Sequence, residues 1–138
     1  MNQPIKKKVS EFQKGKYIVL KDRPCKLVEI HSHPEKGYSM TGIDIFTYIK
    51  ICQVFPKNSL CVEPRVVKTT YQIKDIEDQK MLVLSELNNN KSIVKHELPQ
   101  NKLGEQILNT YTSEKTFRVV IISVGSQEQI TSFYQKIY

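Results

Sequence analysis

The sequence predicts a mainly β protein: a small N-terminal barrel, then a second barrel of the OB type with one inserted helix and a C-terminal helix. Three observations predict it. Segments rich in β-branched and aromatic residues recur between turn signals such as Lys21-Asp22-Arg23-Pro24 and Asn88-Asn89-Asn90-Lys91. Helical periodicity is confined to residues 101–111 and to the C-terminus. Residues 55–65 carry Pro56 and Pro64 and little period, which places a link at about Glu63 to Val67.

The division is therefore a flexible basic arm over 1–11, a first barrel over 12–66 and a second over 67–138. In the first barrel, Tyr17 to Leu20 and Lys26 to Ile30 flank the turn at 21–24. Residues 31–38 are read as unable to extend either strand, because Pro34 lacks a backbone donor. They belong to a loop over 31–41. Ser39 to Ile49 then resumes as a strand, with Ile43, Ile45 and Thr47 on one face and Asp44, Phe46 and Tyr48 on the other.

In the second barrel, Val67, Thr69 and Tyr71 alternate with Lys68, Thr70 and Gln72. Met81 to Leu84 is a short apolar strand. Asn88 to Lys91 is a hairpin turn, since Asn tolerates the left-handed backbone, and Ser92 to Leu98 pairs back. Asn101 to Tyr111 places Leu103, Ile107 and Leu108 on one helical face. Thr116 to Val124 is a buried strand. Ser126 with Gln129 reads as a capping box opening a helix whose apolar face is Ile130, Phe133, Tyr134 and Ile137.

The charge is lopsided. Residues 1–67 hold 12 Lys/Arg against 6 Asp/Glu, whereas residues 68–138 hold 9 against 8. A positive field confined to one module points to a polyanion, because Lys and Arg release counterions on meeting phosphate. No apolar run approaches the roughly 20 residues that span a bilayer, and the N-terminus shows no signal-peptide core. No membrane association is expected. The cysteines Cys25, Cys52 and Cys61 are odd in number and lack C-x-x-C spacing, which disfavours a disulfide framework or zinc ribbon. Cys25 and Cys52 lie in apolar stretches and are expected to be buried. A reducing compartment, the cytosol or an organelle interior, follows from that usage, and a cytoplasmic setting is the expectation.

Candidate contacts for RNA cluster in the first module. Lys21, Arg23 and Lys26 surround its first turn. His31 and His33 form an H-x-H pair, Lys36 stands in the loop, and Tyr38 follows it. No third or fourth ligand lies near the histidines, so surface or hydrogen-bonding roles are preferred over metal, and none is expected. Asp44 stands two residues after Gly42 and suits a role in positioning the neighbouring loop. No nucleophile motif, acid–base pair or Gly-rich phosphate loop is present, so the chain reads as a non-enzyme needing no cofactor.

Four stretches carry a family resemblance: residues 19–29, Gly42-Ile43-Asp44-Ile45-Phe46-Thr47, Tyr71-Gln72-Ile73 with Asp75-Ile76, and Leu98-Pro99 with Leu103-Gly104 and Ile107 to Tyr111. By these the chain resembles eukaryotic and archaeal translation factor 5A, relatives of bacterial elongation factor P. The resemblance implies an SH3-like N-terminal barrel, a C-terminal OB-fold, and binding between the ribosomal exit and peptidyl sites. Its partners would be the ribosome, ribosomal RNA and peptidyl-tRNA. In that family a loop lysine extended to hypusine reaches the peptidyl transferase centre.

The family's Gly-Lys-His-Gly pattern is absent here, and only Pro34 to Thr41 precede Gly42. Lys36 is the one lysine left as a candidate for modification. A shorter loop without flanking glycines has less reach and less backbone freedom to enter a modifying enzyme. The expectation is a translation-factor-5A-like protein aiding elongation without the usual hypusine. The alternative is a repurposed paralogue acting as a structural, self-assembling or complex subunit, as in the fungal Woronin-body protein.

Overall fold

A computed structural model describes residues 4–137, apart from the side chain of Asn90. The chain divides after Val66 into two compact β units.

The first unit contains β1 (Ile5–Lys8), a 3-10 turn at Val9–Glu11, β2 (Tyr17–Leu20), β3 (Arg23–His33), β4 (Gly37–Asp44), β5 (Lys50–Phe55) and β6 (Leu60–Glu63). Strands β2-β3-β4-β5 form one antiparallel sheet, and β1 pairs with β6. Its core gathers Ile18, Leu20, Cys25, Leu27, Met40 and Ile51 with Val9, Phe12 and Cys61. Burying each large aliphatic chain contributes about 1.5–3 kcal/mol.

Several expectations change here. Residues 5–11 are not a flexible arm; residues 1–3 lie outside the described residues. Ile5–Lys8 pairs with Leu60–Glu63, the Lys7 ammonium meets the Glu63 carboxylate at 3.1 Å, and Val9 is 1% exposed. The Pro-flanked stretch 55–65 supplies that partner as β6, between Pro56 and Pro64 rather than through them. The first turn is only Lys21-Asp22, with φ of 48° and 65°. Those left-handed values match the twist of a two-residue hairpin. Cys52 is exposed, because it alternates with buried Ile51 on β5; Cys25 and Cys61 are buried. Burial pushes both of those thiols up from their ordinary pKa.

Residues 31–33 extend β3 and residues 37–38 begin β4, so the loop predicted over 31–41 shrinks to Pro34-Glu35-Lys36. Pro34 lies beyond the last ladder pair, His33 with Gly37, and so interrupts nothing. The strand expected through Ile49 stops at Asp44. Its carboxylate accepts the Phe46 and Thr47 backbone N–H groups at 2.8 and 3.2 Å and bends the chain there.

The second unit contains β7 (Val67–Glu77), β8 (Met81–Glu86), β9 (Asn89–Glu97), α1 (Lys102–Thr110), β10 (Phe117–Val124) and β11 (Gln127–Gln135). The sheet order is β11-β10-β7-β8-β9. Asn101 caps α1 by accepting the Gly104 N–H at 3.2 Å. Ile107 is fully buried on this helix and Leu103 packs on the core, whereas Leu108 is exposed. The β8–β9 turn is Leu87-Asn88, two residues before the predicted one. A bulge after Asn89, where Ser85 pairs with Ile93 and Glu86 with Asn89, absorbs the extra residues.

The predicted C-terminal helix is strand β11, antiparallel to β10. The physical reason is a bulge. Ile121 pairs with Ile130 and Val120 with Ser132, leaving Thr131 as the extra residue. Ile130 and Phe133, three apart, therefore share the inward face of a strand and imitate a helical i, i+3 spacing. Gly125, at φ 59°, and Ser126 form the turn between β10 and β11, so Ser126 caps no helix.

Candidate nucleic-acid interface

The first unit owes its reach to β3, whose eleven residues extend about 33 Å. Its far end, with the start of β4, forms the tip. Pro34 holds the first turn position, and Glu35 takes the second at φ 72°. The Lys36 N–H closes this type II form by donating to the His33 carbonyl at 3.0 Å. Gly37, at φ 119°, follows. A Cβ there would collide with the Phe55 carbonyl, so the missing side chain lets the end of β5 seat against the tip.

Lys36 is exposed on this turn. His31 and His33 lie two apart on the outward face of β3, both exposed, and the His31 ring sits 3.7 Å from the Glu29 carboxylate. Tyr38 does not join them. Because His31 pairs with Ser39, its neighbour Tyr38 takes the opposite face and packs, half-buried, on the core beside Ile30 and Phe55.

The other predicted cations stand at the opposite end of β3. Lys21 occupies the β2–β3 turn, its N–H donating to the Gln53 side-chain oxygen at 2.8 Å. Arg23 donates to the Asp44 carboxylate at 3.3 Å, so part of its charge is already met. Lys26 is exposed and pairs with Ile43, which in turn pairs with Lys50 across the same face. The seven candidates thus separate into a tip (His31, His33, Lys36), a base (Lys21, Arg23, Lys26) and one residue turned to the core (Tyr38). The tip and base are too far apart to hold one small ligand.

Burial of Asp44 works against its charge, but the Phe46 and Thr47 N–H groups, the Thr47 hydroxyl and Arg23 outweigh that. Its carboxyl is held below the ordinary range. Among the described residues, no three His, Cys, Asp or Glu side chains gather closely enough to hold a metal ion. None of the helices there is long and apolar enough to cross a membrane.

Sequence reasoning missed two cations. Lys57 is exposed and its backbone passes beside Gly37 at the tip. Lys50 joins Lys26 at the base. Neither stands in a motif. Only strand register brings them into place, and the signal that could have found Lys50 was the alternation of Ile51 with its neighbours.

Comparison with known proteins bears on both units. A family model described as translation initiation factor 5A-like, N-terminal, matches residues 3–59. One described as eukaryotic elongation factor 5A hypusine, DNA-binding OB fold, matches residues 65–133. Eukaryotic translation initiation factor 5A-1 of Medicago sativa is 36% identical over 127 residues, covering 86% of this chain and 78% of its own. The solved structure of a translation initiation factor 5A family protein from Naegleria fowleri superposes with a TM-score of 0.84 at 28% identity, covering 94% of this chain and 97% of that one. Eukaryotic translation initiation factor 5A from Methanococcus jannaschii, at 20% identity and a TM-score of 0.69, shares the fold over 95% of each chain.

Proposed function

The chain belongs to the translation factor 5A family, and from that premise we propose that it is a cytoplasmic ribosome-binding factor that aids elongation without hypusine. The observation that carries the reading is the tip. A long, two-stranded hairpin projects Lys36 on a closed turn, flanked by His31, His33 and Lys57. Ribosomal RNA and peptidyl-tRNA are the polyanions such a finger suits, since phosphate contacts need exposed cations on a rigid support. His31, His33 and Lys36 make the contact there, and Lys21, Arg23 and Lys26 meet a separate stretch of RNA.

Lys36 acts as a plain primary amine. Its own N–H closes the turn onto His33, and the ladder resumes at the next residue. Drawing this lysine deep into a modifying enzyme means breaking that turn and the first ladder pairs, whereas a free glycine-rich loop needs no such opening. Intact-mass analysis of the native protein tests this directly. An unmodified mass is expected; hypusine at Lys36 overturns it.

Sedimentation with purified ribosomes tests the larger reading. Binding should fall steeply with salt, and the Lys36→Ala, His31→Ala, His33→Ala triple variant should bind more weakly than the parent. Equal binding by the triple variant, or none by the parent, rejects it.

One observation favours the second reading, a repurposed self-assembling subunit. Strand β9 lies last in its sheet, and Ile93 and Val94 on it are both exposed. An uncovered apolar edge strand is a template for pairing with another chain. A concentration-dependent oligomer on a native sizing column, with no ribosome binding, would favour that role.

A further inference from the structure

We propose that the turn between β4 and β5 is a second RNA contact, where the Tyr48 ring stacks on an unpaired nucleobase and Lys21, Lys26 and Lys50 hold the adjoining phosphates. It rests on the ribosome-binding reading only for where the RNA comes from.

The first support is the backbone. Tyr48 sits at φ 63°, a left-handed conformation that bulky aromatic residues rarely adopt. A glycine would fill that position without strain. The surroundings hold it there: the Tyr48 N–H donates to the Asp44 carbonyl at 2.8 Å, and the Asp44 N–H donates to the Ile49 carbonyl at 2.9 Å. The buried Asp44 carboxylate fixes Phe46 and Thr47 inside the same turn.

The second support is exposure. Tyr48 is 61% and Ile49 54% exposed, although Ile45 and Phe46 in the same turn are buried. The turn is thus anchored on one side and displays an aromatic group on the other. A ring on a rigid turn loses little freedom when it stacks, which favours association.

Charge selects the partner. Lys26 and Lys50 lie in one transverse row with Ile43, and Lys21 stands in the adjoining turn, joined to β5 through Gln53. The Ile45 N–H donates to the Pro24 carbonyl and binds the two turns together. Of the nearby acids, Asp22 is exposed, while Asp44 is buried against Arg23. Three lysines against one exposed carboxylate suit phosphate better than an apolar protein surface. Base stacking on an aromatic ring tolerates any sequence, so the ligand class is single-stranded RNA.

The test uses the full chain and a fluorescent single-stranded oligouridylate carrying one 5-iodouridine. Irradiation should crosslink it to Tyr48. Tyr48→Ala should weaken binding by about 5- to 100-fold, whereas Tyr48→Phe stays within about twofold because the stacking face remains. Tyr48→Gly removes the ring and relieves the backbone, so it should be no less heat-stable than the parent yet bind as poorly as Tyr48→Ala. Replacing Lys21, Lys26 and Lys50 by Gln should flatten the salt slope by about 2.

Unchanged affinity in Tyr48→Gly, a crosslink elsewhere, or no binding of the oligonucleotide overturns the proposal. So does a ribosome-bound chain whose Tyr48 crosslinks to protein. If ribosome sedimentation fails but the oligonucleotide still crosslinks to Tyr48, the proposal stands and the ribosomal reading falls. If sedimentation holds while Tyr48 variants are neutral, the reverse applies.

Discussion

Arg23 donates to the buried carboxylate of Asp44 across 3.3 Å, and this pair ties the β2–β3 hairpin to the turn after β4. Asp44 is 3% exposed, yet its oxygens are met by Phe46, Thr47 and Arg23. A buried charge persists only with such partners. The pair is a packing joint at the base of the first unit, and the turn carrying Tyr48 and Ile49 is built on it.

Removing the acceptor should therefore cost more than removing the ion pair. In Asp44→Ala the Phe46 and Thr47 N–H groups lose their partner inside the protein, a loss of about 1–3 kcal/mol. For a domain of this size that lowers Tm by about 4–8 °C per kcal/mol. Arg23→Gln should cost about 1 kcal/mol or less, because Arg23 is half exposed. Thermal melts followed by circular dichroism give the order, and an equal loss in both variants contradicts it.

The same carboxylate sets an acid limit. Its folded-state pKa lies below the ordinary value of 3.8, so the folded form holds fewer protons than the unfolded chain in that range. Its contribution is complete above that value and is lost as pH falls through the lower, folded one. The gap in urea midpoint between the parent and Asp44→Asn should narrow as pH falls from about 6 towards about 2.5. A constant gap across the range rules out this origin.

The tip offers two opposed glycine experiments. Gly37→Ala must place a methyl against the Phe55 carbonyl at a left-handed φ of 119°, and should destabilise the first unit by about 1–3 kcal/mol. Glu35→Gly relaxes a non-glycine residue at φ 72° and should stabilise by about 0.5–1 kcal/mol. Chemical denaturation of both variants checks the signs.

In the second unit, Phe133 stacks on Phe117 with centroids 5.2 Å apart and planes within 9°. Phe133→Ala should cost about 2–3 kcal/mol, less than a fully buried phenylalanine, because its ring is only partly buried. Tyr134→Ala, on the exposed face one residue on, should cost under about 0.5 kcal/mol. A helix would make both neighbours part of one apolar face; the contrast between them measures the strand directly.

Local pattern was enough for the strands whose neighbours alternate cleanly. A turn beginning at Lys21, the first half of β7, a helix over about residues 101–111 and the buried β10 were legible as turn chemistry and period. The bend at Asp44 was not, because alternation carries the strand on through Ile49 until the buried carboxylate takes the Phe46 and Thr47 N–H groups. The concentration of cations in the first half was a matter of counting. Register was not legible. Strand β1 exists because β6 offers it an edge 55 residues downstream, and nothing near Ile5 announces that edge. The bulge at Thr131 turned a period of two into an apparent three, so Phe133 and Ile130 looked helical until β10 was beside them. The candidate contacts of the first unit were visible one by one, but which of them share a face depends on pairing: Tyr38 went inward, Lys50 was brought beside Lys26 at the base, and Lys57 beside the tip. Short-range sterics and hydrogen bonds decide what a segment can become; only long-range pairing, which closes loops of many residues at an entropic cost recovered by the finished core, decides which face it shows and to whom.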